Sequence, residues 1–122
     1  MKKSLLSLII LFSGLLTFSQ SNPSNLSTTN ITSNSAELSW NDSVCSGNVN
    51  LKYRVTGTGS SWTQVTNVTS NYILSGLNPG TSYDWTVKCF PGAGWSNFVS
   101  FTTLASCNLA STITITDASC NN

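Results

Sequence analysis

The sequence predicts an all-β fold, a seven-stranded antiparallel Greek-key sandwich, and three observations indicate it. From Asn25 onward, short segments alternate apolar and polar residues, which is the period of a strand with one buried face. Turn-forming residues separate these segments at 41–43, 57–59, 78–80 and 91–94. The run Leu77–Tyr83 places a Pro-Gly turn just before a tyrosine, as at the corners of such sandwiches.

The first three strands follow from this alternation. An opening strand is expected near Leu26 to Ile31, and a breaker at 41–43 ends the second strand. The polar partners Lys52 and Arg54 occupy the outward face of the third strand. The predicted inward residues of the second and third strands are Ala36, Leu38, Trp40, Leu51, Tyr53 and Val55.

Four more strands complete the set. Trp62 and Val65 mark a short, irregular fourth strand, and Tyr72 and Leu74 mark the fifth. In the last two strands, we expect the apolar residues to face the core and the polar residues between them to face solvent. The expected inward residues are Tyr83, Trp85, Val87, Cys89, Val99 and Phe101, and the expected outward residues of the sixth strand are Ser82, Asp84, Thr86 and Lys88.

The turn before the sixth strand is the most specific fold signal. Pro79 fixes φ near −65° and Gly80 accepts the positive φ that follows. Leu77 can fill the core before the turn, and Tyr83 can bury its ring while its hydroxyl bonds to nearby backbone. Together with Trp40 and Tyr53, these residues are predicted to define the fold.

The N-terminal residues 1–19 are typical of a secretory signal peptide. Lys2 and Lys3 form a basic start, and Leu5 to Phe18 form an apolar stretch. As a helix, these fourteen residues would reach roughly 21 Å, which is short of the ~30 Å hydrocarbon core. We therefore expect cleavage before Gln20 rather than membrane anchoring. The mature protein is then secreted, either to the extracellular space or to the cell surface.

Composition excludes several functions. Only 7% of residues are charged, against about 25% in an average globular protein, so no footprint for nucleic acid is expected. The chain contains no histidine, which excludes Ser-His and Cys-His nucleophiles. Four scattered acids offer no carboxylate pair, and Glu37, Asp42 and Asp84 are expected to be solvated. The sequence therefore predicts no enzyme activity, no metal site and no cofactor.

Six short segments follow one another in a characteristic order between residues 23 and 104: Asn25-Leu26, Asn30-Ile31-Thr32, Ala36 to Trp40, Tyr53-Arg54-Val55, Leu77 to Tyr83 and Val99 to Thr103. In this order and spacing they resemble a fibronectin type III domain, an immunoglobulin-like fold. This resemblance implies strands A-B-E in one sheet and C′-C-F-G in the other. The variant with Cys89, Trp95-Ser96 and Phe101-Thr102-Thr103 resembles copies from large secreted bacterial proteins.

The implied strand order sorts the four cysteines. Cys45 would follow the second strand and Cys89 would end the sixth, at one pole of the sandwich, within reach of a disulfide. That bridge would contribute ~4 kcal/mol to stability in the chain-entropy model. Cys107 would lie at the other pole, about 23 Å away, and would pair with Cys120 or outside this chain.

Residues 105–122 are predicted to be a C-terminal extension. The stretch 111–116 alternates like a strand, but a lone strand is not stable in water. We interpret the extension as the start of a further β repeat, with a frayed terminus as the alternative.

Two tryptophans are the candidate ligand contacts. Trp95 follows a Gly-rich loop that can project from the pole, and Trp62 lies near the irregular fourth strand. Either indole could stack on a sugar or contact a partner protein. The alternative is that both indoles fold back over the sheet edges.

The predicted function is that of a non-catalytic spacer or interaction unit in an extracellular or cell-surface protein of the adhesion type. Its partners would be neighbouring domains of a longer chain. The alternative is a carbohydrate- or protein-binding accessory domain of a secreted hydrolase, with polysaccharide or an extracellular protein as its partner. That hydrolase's catalytic part would lie outside this chain.

Overall fold

Seven strands form two antiparallel sheets in the computed structural model, which describes residues 21–57, 59–92 and 94–106. One sheet has the order β1-β2-β5 and the other the order β4-β3-β6-β7. This order confirms the one that the resemblance implies. The strands are β1 (Ser24–Thr29), β2 (Ser35–Asn41), β3 (Asn48–Val55), β4 (Thr63–Val68), β5 (Tyr72–Ser75), β6 (Ser82–Phe90) and β7 (Val99–Thr102). The predicted signal peptide, Cys107, Cys120 and most of the predicted extension lie outside the described residues.

Asparagines in the left-handed region set the limits of β1. Asn25 has φ 53° within the strand, where the register with β2 shifts, and Asn30 has φ 47° just after it. Asparagine tolerates this backbone conformation better than most residues because its short side chain can bond locally. The strand therefore begins and ends about two residues earlier than the sequence predicts.

The core lies between the two sheets and centres on two tryptophans. Trp85 is fully buried, and its ring centroid lies 6.1 Å from that of Trp40. The Trp85 indole N–H donates to Thr28 Oγ1 across the sandwich at 2.9 Å, which links β6 to β1. The predicted inward residues Ala36, Leu38, Trp40, Leu51, Tyr83, Trp85, Val87, Cys89 and Phe101 are all buried.

The end of β3 departs from the predicted alternation. Tyr53 is only half-buried against the core, and Val55 is 40% exposed. The pairing of β3 with β4 stops at Tyr53 and Thr63, so Val55 has β6 on one side only. Both residues lie on the predicted inward face, opposite Tyr83 and Trp85 of β6, but they are not enclosed in the core as the inward pattern leads one to expect.

The turn before β6 forms the expected corner. Gly80 has φ 59°, Leu77 is buried, and the Tyr83 hydroxyl accepts a hydrogen bond from the Asn78 N–H at 2.9 Å. The buried Thr103 hydroxyl lies 2.7 Å from the Asn78 carbonyl and accepts from the Thr81 N–H at 2.9 Å. These bonds tie the turn to the end of the last strand.

A disulfide closes the opposite pole. Cys45 and Cys89 are bonded, with their Cα atoms 5.3 Å apart, which confirms the predicted pairing. The carbonyl oxygen of Ser21 lies 3.6 Å from the sulfur of Cys89, so the chain enters the domain at this pole. Because Cys89 lies near the end of β6 and Tyr83 near its start, this strand connects the two poles.

We predict that Tyr83→Phe lowers the free energy of unfolding by about 1 kcal/mol, because the Asn78 N–H loses its buried acceptor while the ring stays. Urea denaturation monitored by fluorescence measures this. Tyr53→Phe is the matched control, since the Tyr53 hydroxyl makes no hydrogen bond within the described residues. Equal effects of the two substitutions would contradict the corner's role.

Candidate functional site

Three bases and two tryptophans meet on the outer face of the four-stranded sheet. Lys52 and Arg54 project from β3, and Lys88 projects from β6. Trp62 directly precedes β4, and Trp95 lies between β6 and β7. We call these five side chains the cationic ladder. It contains every lysine and arginine of the described residues.

Cations and indoles alternate in the ladder. The Lys52 ammonium lies 4.5 Å from the ring centroid of Trp62 and 4.4 Å from that of Trp95. The Arg54 guanidinium lies 4.4 Å from the Trp62 ring, and the Lys88 ammonium lies 4.9 Å from the Trp95 ring. Each indole thus contacts two cations, and Lys52 joins the two halves. Contacts of this kind contribute about 0.5–1 kcal/mol each when exposed.

The segment after β6 is held flat against the sheet. A side chain at Gly92 would place its Cβ only 2.5 Å from the Cys89 carbonyl oxygen, so the chain can turn back closely there. The Ser96 N–H then donates to the Val87 carbonyl at 2.9 Å, and the Thr86 hydroxyl donates to the Ser96 carbonyl at 2.7 Å. Trp95 therefore lies over the sheet rather than projecting from the pole.

Like charges crowd around Lys52. Burial, followed by the positive charges of Lys88 and Arg54, lowers the pKa of Lys52 below its ordinary value. The π-electron faces of the two indoles offset part of this repulsion. The ladder is consequently a region of concentrated positive charge on a domain with few charges elsewhere.

Asp84 lies beneath one end of the ladder and is buried, so the expectation that it is solvated is wrong. It accepts hydrogen bonds from the hydroxyls of Ser100 at 2.7 Å and Thr56 at 2.8 Å, and Arg54 Nε lies 3.3 Å away. Burial raises the pKa of Asp84. The hydrogen bonds from Ser100, Thr56 and Arg54, together with the positive charge of Arg54, lower it by more than burial raises it. The pKa of Asp84 therefore lies below its ordinary value.

Asp84 therefore serves as an anchor for Arg54 rather than as an acid or base. Its oxygens are occupied by three donors, and its ionised form is the stabilised one.

Within residues 21–57, 59–92 and 94–106, no group of three His, Cys, Asp or Glu side chains could hold a metal ion. The described part also contains no helix with the length and apolarity needed to cross a membrane.

The structure brings together the two predicted contact tryptophans and adds their partners. Trp62 and Trp95 fold back, as the alternative interpretation holds, but onto the outer face of the sheet rather than over its edges. Sequence reasoning missed the cations between them. The alternation that placed Lys52 and Arg54 outward was the available signal, but it does not show what covers them.

We predict that Trp95→Ala lowers the free energy of unfolding by about 1–3 kcal/mol, because two cation–π contacts are lost and Thr86 loses its cover. Chemical denaturation measures the change. Phe98→Ala is the matched control, since Phe98 is 57% exposed and should change stability by less than about 0.5 kcal/mol. If Trp95→Ala leaves the free energy of unfolding unchanged, the indole does not pack on the sheet.

The free energy of unfolding should also fall in acid, because Asp84 then becomes protonated. A depressed folded-state pKa means that the stabilisation is present above the unfolded-state pKa and is lost as pH falls from about 5 through the folded value. An NMR titration of the Asp84 carboxyl should show a pKa below the ordinary aspartate value. Ser100→Ala should raise that pKa, and Ser82→Ala, which removes a hydroxyl bonded to Thr102, should not. An unshifted pKa in the unmodified protein would contradict this assignment.

Comparison with three solved structures supports the fold alone, since each of them is less than 25% identical to this chain. A myokine structure is 24% identical, with a TM-score of 0.57 and coverage of 70% of this chain and 99% of that one. The fn3 domain of human contactin 1 is 18% identical, with a TM-score of 0.62 and coverage of 75% and 84%. A chicken CNTN1 structure spanning FN1–FN3 is 23% identical, with a TM-score of 0.53 and coverage of 67% and 30%.

A search of curated proteins found no match. The fibronectin type III domain family matches residues 21–103, which is more than half of the chain. Domains of this family are typically non-catalytic and mostly extracellular, and they act as spacers or interaction units in modular proteins. The tyrosine corner fits this assignment. The chain belongs to the fibronectin type III family.

Proposed function

We propose that the protein is an exported fibronectin type III module that sets distances and displays surfaces within a larger extracellular or cell-surface protein. The observation that carries this proposal is that the described chain enters at one pole of the sandwich and leaves at the other. Such a unit can be joined to neighbouring domains in a line, and the length of its long axis then sets the distance between them.

The two poles are identified by contacts of the terminal segments. Ser21 lies beside Cys89 at the disulfide pole. At the other pole, the Leu104 N–H donates to the Thr32 carbonyl, and the Leu104 carbonyl accepts from the Gly80 N–H, both at 3.0 Å. The nine residues of β6 that separate these poles span roughly 26 Å.

This placement suits a module that bears tension. Tension applied at the two ends pulls β1 along β2 and β7 along β6, since Ser24 pairs with Asn41 near the disulfide pole and Thr102 pairs with Ser82 near the corner. Hydrogen bonds in an antiparallel pair run perpendicular to the strands, so this pull loads many of them together in shear. The disulfide additionally limits how far the chain can extend.

Modular context supports the same role. Fibronectin type III domains sit within multi-domain chains, and the chicken CNTN1 structure spans three of them. The disulfide fits an oxidising compartment, where such bonds persist. We therefore propose neighbouring domains as the partners and an extracellular or cell-surface location of the adhesion type. Cleavage of residues 1–19, a bacterial origin and a further repeat from residue 105 belong to the same proposal.

No catalytic step is proposed for this chain. The predicted alternative, an accessory domain of a secreted hydrolase that binds carbohydrate or protein, places its contacts at Trp62 and Trp95. Both of these indoles belong to the cationic ladder, and the cations beside them favour a negatively charged ligand over a neutral one.

Single-molecule force unfolding tests the spacer role. With the disulfide intact, the 44-residue separation between Cys45 and Cys89 stays closed when the domain unfolds. Adding a reductant should therefore lengthen the unfolding step by about 150 Å, the extended length of that segment. The oxidised domain should also unfold in one discrete step that returns on relaxation.

The paired substitution Cys45→Ala with Cys89→Ala is the control, because it should give the long step with or without reductant. Extension without a resolvable unfolding force in the oxidised protein would contradict a load-bearing spacer. A step length that ignores the reductant would contradict the loop closure on which the mechanical role depends.

A further inference from the structure

We infer that the cationic ladder is a binding surface for an acidic polysaccharide, a sugar chain that carries carboxylate or sulfate groups. This inference goes beyond the spacer role and does not require it. It rests on the placement of charge, on the crowding of ammonium groups and on the chemistry of the surrounding side chains.

Positive charge is concentrated on this face. Lys52, Arg54 and Lys88 are all the bases of the described residues, and all three lie in the ladder. One carboxylate, Asp84, lies beside Arg54 and is buried beneath it. Glu37 lies on the other sheet, where it accepts a hydrogen bond from Asn30. Asp42 lies in the turn after β2, away from the ladder strands. The three carboxylates balance the three bases over the described residues, but the ladder face itself carries an excess of positive charge.

The arrangement of the two lysines makes an anion favourable. Their ammonium groups lie 4.4 and 4.9 Å from the Trp95 ring centroid, so both positive charges are held around one indole. Their mutual repulsion, which after burial is the next cause of the lowered pKa of Lys52, is unfavourable in the free protein. Carboxylate or sulfate groups spaced along one polymer would relieve that repulsion, each forming charge-assisted hydrogen bonds with one of the ammonium groups.

The indoles favour an acidic sugar chain over a neutral one. A neutral sugar binds tryptophan by stacking on an indole face. Here each indole already has two cations within 4.9 Å of its centroid, which occupy those faces. The groups that the ladder presents to a ligand are consequently the cations and the ring edges. This arrangement does not favour the stacking of a sugar on the Trp62 or Trp95 face that the sequence led us to expect.

The surroundings favour a polysaccharide over an acidic peptide. Gln64 pairs with Lys52 at one side of the ladder, and exposed Ser100 and Thr102 lie on β7 at the other side. The hydroxyls of Ser100 and Thr102 already bond Asp84 and Ser82, but each can accept a further hydrogen bond. Amide and hydroxyl groups of this kind can bond the hydroxyls of a sugar chain. A peptide would instead gain most by pairing with a sheet edge, whereas the ladder lies on a sheet face.

Binding of the full-length chain to dextran sulfate, measured by isothermal titration calorimetry at low salt, tests the inference. Neutral dextran, inorganic sulfate and poly-glutamate are the comparison probes. We expect dextran sulfate to bind and neutral dextran not to bind. Inorganic sulfate should bind at least tenfold more weakly than dextran sulfate, because a single group contacts fewer cations. Poly-glutamate should also bind at least tenfold more weakly.

Matched variants separate the ladder from general charge effects. Lys88→Gln removes one ladder cation and should weaken dextran sulfate binding at least fivefold. The slope of the logarithm of the binding constant against the logarithm of the salt concentration should become shallower by about one, as when a protein loses one contact to another polyanion. Ser75→Glu lowers the net charge equally on the other sheet and should change affinity less than twofold. Circular dichroism of both variants verifies folding.

Three results would overturn the inference. These are absent binding of dextran sulfate, equal weakening by Lys88→Gln and Ser75→Glu, and poly-glutamate binding as tight as that of dextran sulfate. The force measurement on the oxidised domain is independent of these outcomes, so the spacer role and the binding surface can fail separately.

Discussion

The double-sided burial of β6 is the constraint on which the rest of the structure depends. On the inner face, Trp85 and Val87 are fully buried between the sheets. On the outer face, Asp84 and Thr86 are each 2% exposed. A strand at the surface of a two-layer sandwich normally leaves its outer side chains in water. Here a third layer of side chains covers them, so β6 behaves as the centre of the domain.

The side chains of that third layer both cover β6 and carry the positive charge of the domain. The segment that carries Trp95 runs beside β6 and bonds to it through Ser96, and this contact places the indole against Lys52 and Lys88. The same residues that shield Thr86 therefore concentrate the positive charge of the domain. Because β6 also connects the disulfide pole with the tyrosine corner, the strand that spans the domain from pole to pole is the one that supports its charged face.

Local chemistry explains which features could be predicted from the sequence. The corner depends on the backbone preferences of Pro79 and Gly80 and on a hydrogen bond between residues five apart, so a short run predicts it. The burial of Asp84 depends instead on hydroxyls from two other strand ends, and alternation alone cannot indicate them. Val55 is exposed because β4 ends before reaching it, and this difference in strand length leaves no mark in the sequence.

The most direct test of this account is the NMR chemical shift of the Lys52 ε-methylene protons. A lysine held between the faces of two indoles experiences ring currents from both, so these protons should resonate well upfield of their random-coil position. They should move back towards it in Trp95→Ala and further in a variant that also carries Trp62→Ala. A random-coil shift for Lys52 in the unmodified, folded protein would show that the outer face of β6 is not covered in this way.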